Sequence, residues 1–404
     1  MSVSTSTGAA TAPSTATAPP AASDLAERIP WSPLLWAVWL AATVLGTVGV
    51  VMRVAEGHLP AGYGSYVPWG LWVAFYFHGV GIAGGAFVLG GLGFLLDWPG
   101  FRRREVLRAV IVLSAAAIIP AFFAVWVDLG RLDRSHLIFT SPAFTSMMAF
   151  NAWMYAGFAV VAAICWGLSF QRTSPHLKPL LCLAILLSVL FPSQSGAFFG
   201  VVDAKPHWHS ALLPMVFLAS AVTAGAAGLL AVRLIMDRDR RHCETDAAVS
   251  LLRWVTLAGL AIYFVFEFAE FSIALWSPYN HQPAVDLILF GPYWWMFWIV
   301  HLLLGGLVPA VLLCLHSRFA WLAASVLVAV AFVSARLNVL VPGQAVGELA
   351  GLQEAFQHPR LSYLYHPTPM EYLVGFFVLA MGMSIFYIGQ RLGYAVADRL
   401  PSDP

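Results

Sequence analysis

Runs of twenty or more mostly apolar residues recur along this chain, and each is long enough to cross a hydrocarbon core of about 30 Å. A backbone surrounded by lipid tails finds no water to bond, so such runs must close their hydrogen bonds internally, as helices do. Composition agrees: 60% of the 404 residues are hydrophobic and only 10% charged, against about 25% charged in soluble domains. The fold class expected is an all-α polytopic membrane protein. Ten spans are expected, at 34–54, 69–97, 106–127, 149–170, 178–199, 211–236, 250–276, 290–316, 319–337 and 370–394.

The first 27 residues are rich in Ala, Ser, Thr and Pro and lack the apolar core of a signal peptide, so 1–27 is expected to be a disordered cytoplasmic tail preceding a helical domain over 28–400. The formal net charge of +1 offers no basic field for nucleic acid. The four cysteines, Cys165, Cys182, Cys243 and Cys314, are scattered with no CxxC pair. That argues against a disulfide framework or a resident iron–sulfur cluster, and no bound metal is expected.

A repeat links spans two to five with spans six to nine. Pro68-Trp69-Gly70 leads into the small-residue stretch Gly81-Ile82-Ala83-Gly84-Gly85-Ala86, and Pro214-Met215-Val216 leads into Ala224-Gly225-Ala226-Ala227-Gly228. The outer end of span three carries Asp128, that of span seven Glu267 and Glu270. Two four-helix bundles in parallel repeat, plus flanking helices, are expected.

Ionisable groups inside spans cost about 2.5–3.5 kcal/mol each on insertion scales, so each needs a partner, water or a role. His78 and His301 lie deep in spans two and eight; Asp128 and Arg131 close span three; Asn151 and Tyr155 open span four; Arg336 and Asn338 end span nine. Nearly all collect toward one side of the membrane, which suggests a polar pocket opening outward. Glu267 and Glu270 share a helical face, and two ionised carboxylates so placed repel, which points to proton handling. Each group also has a plainer reading: a packed histidine at His78, an interfacial ion pair of Asp128 with Arg131, and an interfacial aromatic at Tyr155.

Pro68-Trp69-Gly70-Leu71-Trp72 with the small-residue stretch after it, Asp128-Leu129-Gly130-Arg131, and Ala204-Lys205-Pro206-His207-Trp208 before span six together resemble the membrane subunits of the NrfD/PsrC family. Arg336-Leu337-Asn338, Pro342-Gly343, Tyr365-His366-Pro367-Thr368-Pro369 and Glu371 resemble the ten-span HybB/DsrP-like members. The resemblance covers about 28–394. It implies a quinone-binding subunit of a respiratory oxidoreductase with no redox centre of its own. Such a subunit exchanges electrons between a menaquinone or ubiquinone pool and a periplasmic iron–sulfur, ferredoxin-type partner, which serves a catalytic redox subunit.

Quinone chemistry couples two electrons to two protons, so the head group needs hydrogen-bonding and titrating side chains. On this reading Asp128, His78, Glu267 and Glu270 are the candidate catalytic residues. His78, Asp128, Arg131, Asn151 and Tyr155 are the candidate quinone-binding set. Two rivals are a secondary transporter, which calls for broken helices and an inverted repeat, and a b-type cytochrome, which calls for facing histidines such as His78 and His301.

Lys and Arg residues divide 15 to 6 between the two sides implied by the ten spans. Because cytoplasmic loops carry the excess, both termini are expected in the cytoplasm of a bacterial inner membrane, with loops 128–148, 200–210, 277–289 and 338–369 outside. Cysteines introduced at Arg134 and Gln353 should then react with an impermeant thiol reagent in intact cells; protection of both would reverse the orientation.

Overall fold

The computed structural model describes residues 31–171, 173–236, 243–277, 282–349, 351, 355, 358 and 361–399. The tail expected at 1–27, and Arg28, Arg172, Arg238, Arg240, Arg241 and Arg360 of the charge comparison, lie outside the described residues. Among the described residues the regular structure is helical, without strands. Ten helices among the described residues are long and apolar enough to cross a membrane, and the all-α polytopic expectation holds.

We number these α1 (Pro33–Glu56), α2 (Leu71–Leu95), α3 (Arg104–Asp128), α4 (Met147–Leu168), α5 (Leu177–Gly200), α6 (Leu213–Met236), α7 (Cys243–Trp276), α8 (Met296–Cys314), α9 (Arg318–Ala345) and α10 (Pro369–Arg399). Several starts are written locally. Ser32, Ser146 and Ser317 each cap a helix, accepting from the backbone N–H three residues on, and Pro33 fits the first turn of α1, where no amide donor is required.

Two helices depart from regular α geometry, both in the second half of the chain. α8 opens as a π-helix over Met296–Leu307, with His301 at its middle. α9 breaks at Phe332, between Arg318–Ala331 and Val333–Ala345. Beyond the break it does not stop near residue 337 as its sequence suggested. It runs on to Ala345, because nearly every side chain of Val333–Ala345 is buried between neighbouring helices. Arg336 and Asn338 are therefore interior residues of a span, not its outer end.

The packing is a duplicated four-helix arrangement. In the first bundle α2 lies against α3 and α5, and α4 against α5; in the second, α6 lies against α7 and α9, and α8 against α9. Equivalent helices are four spans apart and so run in the same direction, which makes the repeat parallel. The two bundles meet chiefly through α2 and α6. α1 and α10 form an outlying pair, docked through α10 onto α3. Helices α1, α7 and α10 present exposed Leu, Val, Ile, Phe and Trp outward, as lipid-facing helices must.

The α2–α6 crossing is a contact of backbone on backbone. A Cβ at Gly85 would collide with the Ala221 carbonyl, and one at Gly225 with the backbone of Gly85 and Ala86. Lipid tails are as apolar as leucine, so hydrophobic exclusion does not hold membrane helices together; close packing does, and glycine permits it. Gly85→Val should therefore cost at least the ~1–3 kcal/mol typical of overpacking and lower the melting temperature of the purified chain. Gly167→Ala, where a Cβ meets nothing within 4 Å, should leave it unchanged. Equal melting temperatures would show that the seam is not close-packed.

Candidate functional site

Because α10 docks on α1 and α3, a long crevice remains between it and the helices of the second bundle. This cavity of about 760 Å³ is bounded by α2, α3, α6, α8, α9 and α10. Its walls are almost entirely apolar, with Ile82, Pro120, Val232, Val330, Leu379 and Phe386 among them. Polar side chains enter it at two levels: His78 and Ser334 within the spans, and Tyr293, Tyr365, His366 and Tyr372 at the end where α10 begins.

His78 is buried, and its Nε2 lies 2.8 Å from the Ala329 carbonyl, near the break in α9. A carbonyl only accepts, so the ring proton sits on Nε2 and Nδ1 of the neutral ring is left as an acceptor. One turn along α2, Gly81 makes room for Arg336, whose Nη2 would stand 3.4 Å from a Cβ placed there. Arg336 is buried; it donates to Ser220 Oγ at 2.6 Å, and its guanidinium lies 3.9 Å from the centre of the Phe217 ring. Its Nε has no partner, and among the described residues no carboxylate lies within ion-pair distance of it.

His301 is wholly buried and joins two helices. Its Nε2 lies 3.0 Å from both carboxylate oxygens of Glu267, and its Nδ1 lies 3.1 Å from Ser334 Oγ. The Tyr263 hydroxyl donates to Glu267 at 2.8 Å. The break at Phe332 makes this possible: the Ala335 amide bonds to Phe332, leaving the Ala331 carbonyl for the Ser334 hydroxyl at 2.5 Å. The first bundle has a simpler counterpart on the equivalent helix pair, where the Tyr155 hydroxyl meets Ser195 Oγ at 2.8 Å.

In the first turn of α10 Glu371 is fully buried yet saturated. Its carboxylate accepts from the amides of Gly62 and Thr368, the Thr368 hydroxyl and the Tyr365 hydroxyl, at 2.6–3.2 Å. Tyr365 in turn accepts from the Leu71 amide at the start of α2, so one carboxylate ties α10 to α2. Burial, and then the Glu371 charge, push the Tyr365 hydroxyl well above the ordinary tyrosine range, so it remains a donor. Arg53, buried at the end of α1, donates to the carbonyls of Val127 and Leu129 on either side of Asp128.

The residues singled out from sequence do not surround one cavity. His78 lines the crevice; Asp128 lies at the C-terminal end of α3 within the field of Arg53 and Glu371, its Oδ1 buried without a hydrogen bond. Asn151 is buried in the first bundle, also with an unpartnered Oδ1, and Tyr155 is held by Ser195. Arg131 does not pair with Asp128: it is exposed and lies 3.9 Å from Asp133, because the chain turns away from α3 directly after Asp128. Nor do Glu267 and Glu270 share a partner. Glu267 faces His301, whereas Glu270 accepts from Ser210 at 2.7 Å.

Sequence reading gave no role to Ser334 or Arg53, and quoted Tyr365 only within a motif. It quoted Glu371 only within a motif, although Thr368-Pro369-Met370-Glu371 carries the signature of a capping box, with Pro at the first helical position. The facing histidines of a cytochrome are not realised, since both ring nitrogens of His301 are engaged. Among the described residues no cluster of three or more His, Cys, Asp or Glu is arranged to hold a metal ion.

The family model described as polysulphide reductase, NrfD, matches residues 61–348. A subunit of the selenate reductase of Mesobacillus selenatarsenatis is 25% identical, over 85% of this chain and 90% of that protein. The Hdr-like menaquinol oxidoreductase integral membrane subunit of Archaeoglobus fulgidus is 26% identical over 89% and 92%. The menaquinone reductase integral membrane subunit of Nitratidesulfovibrio vulgaris is 21% identical over 64% and 68%.

Replacing Tyr365 by Phe removes one donor from Glu371 and strands the Leu71 amide, a loss expected to cost about 1.5–3 kcal/mol. Glu371→Gln turns an amide group onto donors and should cost more. Thermal unfolding of the purified variants checks the order, and an unshifted Glu371→Gln protein would show that this carboxylate does not hold α10 to α2.

Proposed function

From the premise that the chain belongs to the polysulphide reductase NrfD family, we propose that this multi-pass integral membrane protein is a quinone-binding subunit of a respiratory oxidoreductase in a bacterial cytoplasmic membrane. It exchanges electrons between the quinone pool and an iron–sulfur, ferredoxin-type partner seated on its outward loops, which serves a catalytic redox subunit. Menaquinone is favoured over ubiquinone, since two of the relatives carry menaquinol or menaquinone in their names.

The observation that carries the reading is the crevice. A membrane quinone is a long isoprenoid tail with a small head bearing two oxygens, and it requires an apolar slot with a few polar groups at one depth. The walls contributed by α9 and α10, with exposed Val330 and Leu379, suit the tail; His78 Nδ1 and the Ser334 hydroxyl suit the two oxygens. When bound, the quinone supplies the two-electron chemistry.

The chain's own residues position the head group, exclude water and handle protons. His78 offers an acceptor to a quinol hydroxyl while Ala329 fixes its tautomer. Asp128, under the outer surface beside Arg53 and Glu371, belongs in this reading to proton exchange with the exterior. Asn151 and Tyr155 belong to the frame of the first bundle, and Arg131 to the outer loop. The repeat is parallel and not inverted, which weighs against a transporter.

Menaquinone binding to the purified chain can be measured by calorimetric titration. Val330→Phe and Leu379→Trp place bulk in the crevice from exposed positions, and should weaken binding about ten-fold, roughly 1.4 kcal/mol, at unchanged melting temperature. His78→Leu should weaken it as well. Wild-type affinity in all three would exclude the crevice as the quinone site.

A further inference from the structure

Resting on the quinone reading of the crevice, we infer that the second bundle carries a proton path of its own, running from Ser334 through His301 to Glu267 and out by Glu270. The two bundles share one architecture, and the difference between them carries the argument. On the equivalent helix pair the first bundle has Tyr155 against Ser195, with no imidazole or carboxylate among the described residues hydrogen-bonded to either. The second has an imidazole bonded to a serine on one side and to a carboxylate on the other. Ser334 also lines the crevice, so the chain of hydrogen bonds begins at the substrate cavity.

The hydrogen-bond arithmetic allows two arrangements. Ser334 has one proton and two acceptors within reach, the Ala331 carbonyl at 2.5 Å and His301 Nδ1 at 3.1 Å. With its hydroxyl on Ala331, Nδ1–H donates to Oγ and the Glu267 proton faces Nε2. With its hydroxyl on Nδ1, the Nε2–H faces an ionised Glu267. The two differ by one proton.

Oxidation of a hydroquinone breaks its two O–H bonds and sends two electrons to the iron–sulfur partner proposed above. A proton released at Ser334 is taken up on Oγ as the serine proton passes to Nδ1 and the Nε2 proton passes to Glu267. Glu267 then yields its proton to Glu270, rotation of the imidazole, which sits in the middle of the wide π-helical segment, restores the starting arrangement, and the second proton follows by the same steps. Quinone reduction runs the same steps backwards.

The surroundings give the path a direction. Tyr263, Phe264, Phe297 and Phe332 close around His301, and Arg336 keeps a fixed positive charge on the first-bundle side of α9. Glu270 stands one turn nearer the outer end on the same face of α7, half-buried, and is bonded to Ser210 in the outer connection before α6. His301 and Glu267 touch no substrate and act through Ser334.

The test uses the purified full chain in phospholipid nanodiscs loaded with menadione, read by redox-induced infrared difference spectroscopy. Reducing the menadione should change the C=O stretch of a protonated carboxyl, and the band should move in deuterated water. It should be lost in Glu267→Gln, shifted in frequency in Glu267→Asp, and lost in His301→Gln although Glu267 is intact. Menadione affinity, titrated on the same samples, should not change, since neither residue lines the crevice. A band that persists in Glu267→Gln, or survives His301→Gln, overturns the relay. Absence of menadione binding to the wild-type chain would instead count against the crevice itself.

Discussion

A polar group inside hydrocarbon has no water to fall back on, and the architecture of this protein follows from how each such group is accommodated. Glu371 is wholly buried and accepts four hydrogen bonds, which makes it a joint between α2, α10 and the connection at Gly62. Arg336 lies at the other extreme. It has one good acceptor and an aromatic face, and no carboxylate answers it among the described residues. A permanent cation held that way is costly unless its field is used, and its position between the bundles sets that field on His78, Tyr155 and Tyr263 together.

Duplication explains how one fold can supply both a scaffold and a reactive element. Two bundles with the same helix order pack through glycines at α2 and α6, and either could in principle carry the same equipment. They have diverged at one helix pair. The first keeps a tyrosine–serine contact on helices without a break; the second carries a π-helical segment and a broken helix. Those irregularities cost regular backbone bonds and release carbonyls, and both freed groups are taken: Ala329 by His78 and Ala331 by Ser334. Such π-helical segments are frequent at functional sites.

The outlying α1–α10 pair completes the design. By docking on α3 and not on the second bundle, α10 leaves a lateral crevice instead of a sealed interface. A hydrophobic molecule drawn from the bilayer needs no aqueous passage to reach such a slot. His78 and Ser334 enter that slot where α2 and α9 approach each other.

Much was legible in the residues. Apolar run length gave ten spans and the all-α class, because a helix must be about twenty residues long to cross the core whatever it packs against. Small-residue stretches marked the α2–α6 seam, since only residues without bulk let backbones touch. What the chain could not disclose was which polar groups meet. His78, Asp128 and Asn151 seemed to share one half of the membrane, yet the packed helices place them in three environments; Arg131 lies one turn from Asp128 along the chain and turns away from it. Ser334, His301 and Glu267 meet because a break at Phe332 and a π-helical turn re-aim two helices by amounts that residue spacing does not encode. Hydrophobic periodicity is a property of each segment alone and survives in the sequence. The registration of polar groups belongs to pairs of helices and is decided only when they pack.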